Sequence, residues 1–105
     1  MAETFEVREF TEAGRSPFAE WFDALDAVTA DRVDRYIRRL ESGNFGVAKP
    51  LREGVSELRL DFGPGYRVYF VRRREALIVL LCGGDKSTQA RDIKAAKILA
   101  AQLED

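Results

Sequence analysis

Hydrophobic positions fall into blocks of two different periods along the chain. Residues 4–10, TFEVREF, alternate Phe5 and Val7 with Glu6 and Arg8, which predicts a half-buried strand. Ser16-Pro17 supplies a helix start, a serine cap followed by proline in the first turn. Phe18, Trp21, Phe22 and Leu25 follow at i, i+3, i+4 and i+7, an aromatic stripe on one helical face that belongs in a core. A second helix is expected from Thr29, with Val33, Tyr36, Ile37 and Leu40 facing inward. Asp31 near its start and Arg38 and Arg39 near its end suit the macrodipole, and Gly43 closes it. The two helices read as a hairpin.

The segment NFGVAKPLREG reads as a loop, because Gly46, Pro50 and Gly54 deny it either period. From Val55 the period becomes two. ELRLDF sets Leu58, Leu60 and Phe62 on one face and Glu57, Arg59 and Asp61 on the other; YRVYFVR sets Tyr66, Val68 and Phe70 against Arg67, Tyr69 and Val71. Gly63-Pro64-Gly65 joins them as a tight hairpin. The unbroken run ALIVLLC suits a central strand covered on both faces. A last helix from about Thr88 carries Ile93, Ala96, Ala100 and Leu103, capped by Asp85, Ser87 or Thr88. The predicted class is α+β in the order β-α-α-β-β-β-α, a small antiparallel sheet packed by an N-terminal helical hairpin and a C-terminal helix.

A chain of 105 residues suffices for one domain, residues 1–105, with a single core and no separate lobe. No apolar run approaches the ~20 residues that cross a bilayer, and the first ten residues lack signal-peptide character, so a cytoplasmic protein without membrane contact is expected. Cys82 has no disulfide partner and sits in the most apolar strand, as a packed core thiol would. With no histidine, there is neither a zinc cluster nor the usual general acid–base, and no metal or cofactor is expected.

Charge is segregated. Residues 1–31 hold eight acids and two bases, whereas residues 32–97 hold fifteen bases and eight acids, so a near-neutral total of −1 conceals a basic body. Such a body can bind nucleic acid through one face, or can simply be solvated helix and hairpin surface.

GGDKST, between a strand and a helix, resembles a phosphate loop in placement only. A Walker loop needs Gly-x-x-x-x-Gly-Lys-Ser/Thr, whereas here Leu80 takes the first glycine's place and Asp85 would repel a phosphate. The more informative cations are Arg59 and Arg67, which adjacent antiparallel strands bring out together on the face opposite the helical hairpin. Lys86, Lys49 and Arg52 can close the same face. Two readings stay open. Either Arg59 pairs with Glu57 or Asp61 and Arg67 merely caps the pair, or the arginine forks await a phosphodiester, whose transition state they would stabilise. With RNA the 2′-hydroxyl supplies the nucleophile, and neither histidine nor metal is required.

The run LRLDFGPGYRVYF…ALIVLLCGGDKSTQARDIKAAK, preceded by SPFAEWFDAL, resembles the RelE/ParE toxin superfamily, specifically its HigB-like addiction module killer branch, over essentially the whole chain. The resemblance implies a type II toxin–antitoxin toxin with helices on a small sheet. It further implies metal-independent cleavage of translated messenger RNA on the ribosome, and an antitoxin of helix-turn-helix type through which alone operator DNA is met. Position by position, Arg67 would stabilise the transition-state phosphate, Arg52 with Lys49 would anchor RNA backbone, and Lys86 would protonate the 5′-oxygen or hold phosphate. Arg59 stands where the family has a lysine, and its high pKa makes it a poor proton acceptor. Asp61 or Glu57 would take that role. The family's tyrosine early in the last helix is missing, with Arg91 and Asp92 nearby, and Tyr69 either stacks on a base in its stead or packs in the core. The same superfamily includes ParE-like DNA gyrase inhibitors, so a toxin that acts only by binding protein is the alternative.

Overall fold

A computed structural model describes residues 4–46 and 48–103. In chain order the elements are β1 (Glu6–Glu9), α1 (Pro17–Asp23), α2 (Ala27–Glu41), β2 (Ala48–Pro50), β3 (Val55–Arg59), β4 (Arg67–Arg73), β5 (Leu77–Gly84) and α3 (Gln89–Ala101). A single 3-10 turn, Lys86–Thr88, leads into α3. The strands form one sheet in the order β1-β5-β4-β3-β2. The α+β class expected from the sequence is observed, and no helix among the described residues is long and apolar enough to cross a membrane.

Three details depart from the sequence expectation. β1 runs parallel to β5, so the sheet is mixed rather than wholly antiparallel. The expected loop at residues 44–54 contains β2, which pairs antiparallel with β3 and places Lys49 opposite Glu57. Three residues are too few to show a period, and Pro50 is tolerated because β2 is an edge strand. Finally, α2 starts at Ala27 because the Asp26 carboxylate accepts the Thr29 N–H at 3.4 Å, so Thr29 lies inside the first turn. Ser16 caps α1 as expected, its hydroxyl accepting from the Ala19 N–H at 3.0 Å.

Two cores lie on the two faces of the sheet. On one, Phe18 of α1 and Val33, Ile37 and Leu40 of α2 pack on Leu58, Val68, Phe70, Ile78 and Leu80. On the other, Ala96 and Ala100 of α3 cover Val55, Tyr69, Val71, Val79 and Leu81. The face expected to be open and polar is therefore roofed by α3, and Glu57 and Arg67 are buried beneath it. Alternation identified their face correctly, but not what covers it.

β5 touches helices on both sides, and its last two residues explain the glycine pair. A Cβ on Gly83 would collide with the Trp21 ring, and one on Gly84 with the Asp92 carboxylate. GG thus permits close approach of α1 and α3 to opposite faces of one strand.

Leu80, 3% exposed in the first core, should be costly to truncate. Leu80→Ala is expected to lower unfolding free energy by about 2–5 kcal/mol, measured as a shift in urea midpoint with unchanged slope.

Candidate functional site

Where β3 and β4 reach the Gly63–Gly65 turn, the sheet ends and its two faces meet in a cleft of about 360 Å³. One wall is charged, with Arg59, Asp61, Arg67 and Lys86; the other is apolar, with Leu60, Phe62 and Tyr66. Arg59 and Arg67 are direct cross-strand partners, which sets two like charges side by side. Lys86 arrives from the end of β5. Its backbone N–H donates to the Pro64 carbonyl at 3.3 Å, which docks the 3-10 turn against the hairpin. Gly65, at φ +79°, leaves the gap through which this happens. A Cβ there would lie 3.0 Å from Arg67 Nη1 and 3.3 Å from Lys86 Cβ.

The three cations differ in how they are held. Arg67 is 3% exposed; its Nη1 donates to the Gly65 carbonyl at 2.6 Å and its Nε lies 3.6 Å from Glu57 Oε2. Glu57 is buried too, and the same carboxylate oxygen accepts from the Tyr69 hydroxyl at 3.2 Å and from Gln89 Nε2 at 2.9 Å. Arg67 is therefore held by the turn carbonyl of Gly65 and by Glu57 of β3, which Tyr69 of β4 and Gln89 of α3 hold in turn, while Arg67 Nε has no hydrogen-bond partner among the described residues. Arg59 and Lys86 are exposed and form no ion pair among the described residues. Asp85, beside Lys86, is occupied as a cap. Its carboxylate accepts from the Ser87 N–H at 2.8 Å and the Ser87 hydroxyl at 2.5 Å, and these bonds hold its pKa below the usual carboxylate range.

A family model for phage derived protein Gp49-like (DUF891) matches residues 20–103. The chain belongs to this Gp49-like family. An uncharacterized protein of Haemophilus influenzae strain Rd is 48% identical over 87 residues, 82% of this chain and 88% of that relative. The Gp49-like match excludes β1 but takes in Trp21 and every residue that lines the cleft.

The other residues singled out from the sequence lie elsewhere. Arg52 is exposed in the turn between β2 and β3, and Lys49 is exposed on the edge strand opposite Glu57; neither lines the cleft. Tyr69, the candidate for stacking on a base, is fully buried under α3 with its hydroxyl on Glu57. Burial first, and then the Glu57 carboxylate, raise its pKa far above the ordinary phenol range. It cannot meet a base without α3 lifting away. Sequence reasoning missed Gln89, whose role depends on where α3 lands, and treated Phe62 and Tyr66 only as core positions. Their signal was position, flanking a Gly-Pro-Gly turn where a strand's inner face runs out.

Cys82 is a packed thiol. Burial, and secondarily Asp92, push its pKa up to about 12 from an ordinary 9.0. The folded state therefore keeps the proton while the unfolded chain loses it above pH 9, and stability should fall as pH rises from about 9 to 12. Urea midpoints across that range should show the decline, and Cys82→Ala should lessen it, with Tyr69, whose pKa is raised as well, sustaining the part above pH 10.

Arg67→Ala should destabilise by about 3–5 kcal/mol, since it strands a buried carboxylate. The exposed Arg59→Ala should change stability by less than about 0.5 kcal/mol. Thermal melts of the two variants give the comparison. Loss of activity in Arg67→Ala alone would thus confound folding with function.

Proposed function

We propose that the chain is the toxin of a toxin–antitoxin pair and that its cleft cleaves translated messenger RNA. The observation that carries this reading is the meeting of Arg59, Arg67 and Lys86, from three separate elements, in one cleft. Two unneutralised exposed cations beside a prepositioned guanidinium suit a phosphodiester. Guanidinium forks match phosphate oxygens and gain as charge accumulates on them in the transition state.

The step runs as an in-line transfer. The RNA 2′-oxygen attacks phosphorus, its proton passes to Asp61, and the bond to the 5′-oxygen breaks as Lys86 supplies a proton. The products are a cyclic phosphate and a 5′-hydroxyl. Asp61 suits the acceptor role because it is exposed in the cleft, whereas Glu57 is committed to Tyr69, Gln89 and Arg67. The RelE-like resemblance supports the roles of Arg67 and Lys86, whereas Asp61 as acceptor rests on its exposure in the cleft alone, since the family has lysines on that strand. It also suggests the ribosome as the place of action, a cytoplasmic setting and a helix-turn-helix antitoxin as the neutralising partner.

One observation favours the binding-only alternative, gyrase inhibition included: Arg67 already has a carboxylate beside it. The deciding experiment is primer extension on a reporter messenger RNA after a short expression pulse. Wild type is expected to give new ends within translated codons. Arg59→Ala and Lys86→Ala should reduce them about 100-fold or more, while Lys94→Ala on the exposed surface leaves them unchanged. Growth arrest by wild type with intact messenger RNA would overturn the nuclease reading.

A further inference from the structure

The cleft has a second wall that phosphate binding does not use. Phe62 and Tyr66 are half-buried, their rings 5.3 Å apart, and both line the cleft opposite the cations. Each ring is braced by a neighbour. Trp21 lies 6.2 Å from Tyr66, and Tyr36 stacks at 6.3 Å on Phe62 with 24° between the planes. The Arg32 guanidinium sits 4.0 Å over the Phe62 ring, so one face of that ring already carries a cation and a base meets Phe62 by its remaining surface. Gly63, at φ +58°, closes against Tyr66; a Cβ there would stand 2.8 Å from that ring. The turn keeps both walls apart and both rings in place.

A bare phosphate would be served by the cations alone. Cations and aromatic rings lining one cleft are what a single-stranded nucleotide requires, charge for its phosphate and a flat apolar surface for its base. The volume of about 360 Å³ lies at the low end of the ~300–1,000 Å³ typical of small-ligand sites. It suits one nucleotide.

From this juxtaposition we infer that the cleft holds one nucleotide of single-stranded RNA, its phosphate on Arg59, Arg67 and Lys86 and its base against Tyr66 and Phe62. The inference rests on the nuclease reading and adds the residues that grip the base. The stacking role that buried Tyr69 cannot fill falls to its neighbour in sequence three positions earlier, on the opposite face of β4's approach.

The test separates base from backbone. Two pentanucleotides with 2′-O-methyl groups, which block cleavage, are titrated against the full chain, one with all its bases and one abasic throughout. Trp21, the sole tryptophan, reports binding by fluorescence, and calorimetry checks it. Stacking contributes about 5- to 150-fold, from ~1–3 kcal/mol per base, so the base-bearing strand should bind tighter by that factor. Tyr66→Leu and Phe62→Leu should each shrink the ratio while leaving affinity for the abasic strand unchanged, and Arg59→Ala should weaken both strands alike. Equal affinity for the two strands in wild type would overturn the aromatic wall and leave a plain anion site, of the kind an acidic peptide could occupy, with messenger RNA cleavage still standing or falling by its own test. Binding of neither strand would overturn the inference together with the RNA reading of the cleft.

Discussion

The buried pair of Arg67 and Glu57 is the contact on which the rest of the site depends. Removing two charges from water costs several kcal/mol per ion, and attraction between them offsets this only when the remaining polar atoms are also satisfied. Here the carboxylate takes hydrogen bonds from Tyr69 and Gln89 and the guanidinium gives one to the Gly65 carbonyl, though Arg67 Nε is left without one among the described residues. The separation of 3.6 Å is too long for the pair itself to be a hydrogen bond. Its partners, not the pair alone, make the arrangement tenable. They come from β3, β4, α3 and the hairpin turn, so the ion pair cannot form unless all four are in register.

The glycine pair at the end of β5 does the complementary work on packing. The pairing of β4 with β5 shifts register between Tyr69 and Phe70. Beyond the shift, Leu81 is buried in the α3-side core and Cys82 packs against that same core, while Gly83 meets Trp21 of α1 and Gly84 meets Asp92 of α3. The Thr88 hydroxyl donates to the Asp92 carboxylate at 2.5 Å, which holds the first turn of α3 against the strand. That position determines where Gln89 reaches Glu57 and where Lys86 emerges. A motif that mimics a phosphate loop in letters thus serves close helix–strand approach, and its lysine is delivered to the cleft by the same geometry.

Most of the fold was legible because its signals are local. Period two over residues 55–62 and 66–72, the Ser16-Pro17 start and the Gly-Pro-Gly turn each specify their own segment. What escaped was set by contacts distant in sequence. β2 is too short to show a period and exists only because β3 offers it an edge. The direction of β1 is decided by the long path through α1 and α2, which returns the chain to the opposite side of the sheet. In the candidate site, alternation placed Arg59 beside Arg67, since cross-strand neighbours follow from register. Alternation could not say that α3 would bury Arg67 and Tyr69 while leaving Arg59 in water, because one face of a strand can be covered over part of its length.

That partial cover produces a division of roles among like charges. Arg67 is shielded, with little side-chain entropy left to lose, whereas Arg59 and Lys86 are exposed and must be ordered when an anion arrives. A wholly buried cluster of three cations would be prohibitively repulsive, and a wholly exposed one would be loosely positioned and screened. One fixed charge flanked by two mobile ones avoids both extremes. The overall charge of −1 does not oppose this. Acids on the outer faces of α1 and α2 act through water, and at physiological salt their fields decay over about 8 Å. An approaching anion therefore responds to the local sum at the cleft, where three cations face one exposed carboxylate, rather than to the total for the chain.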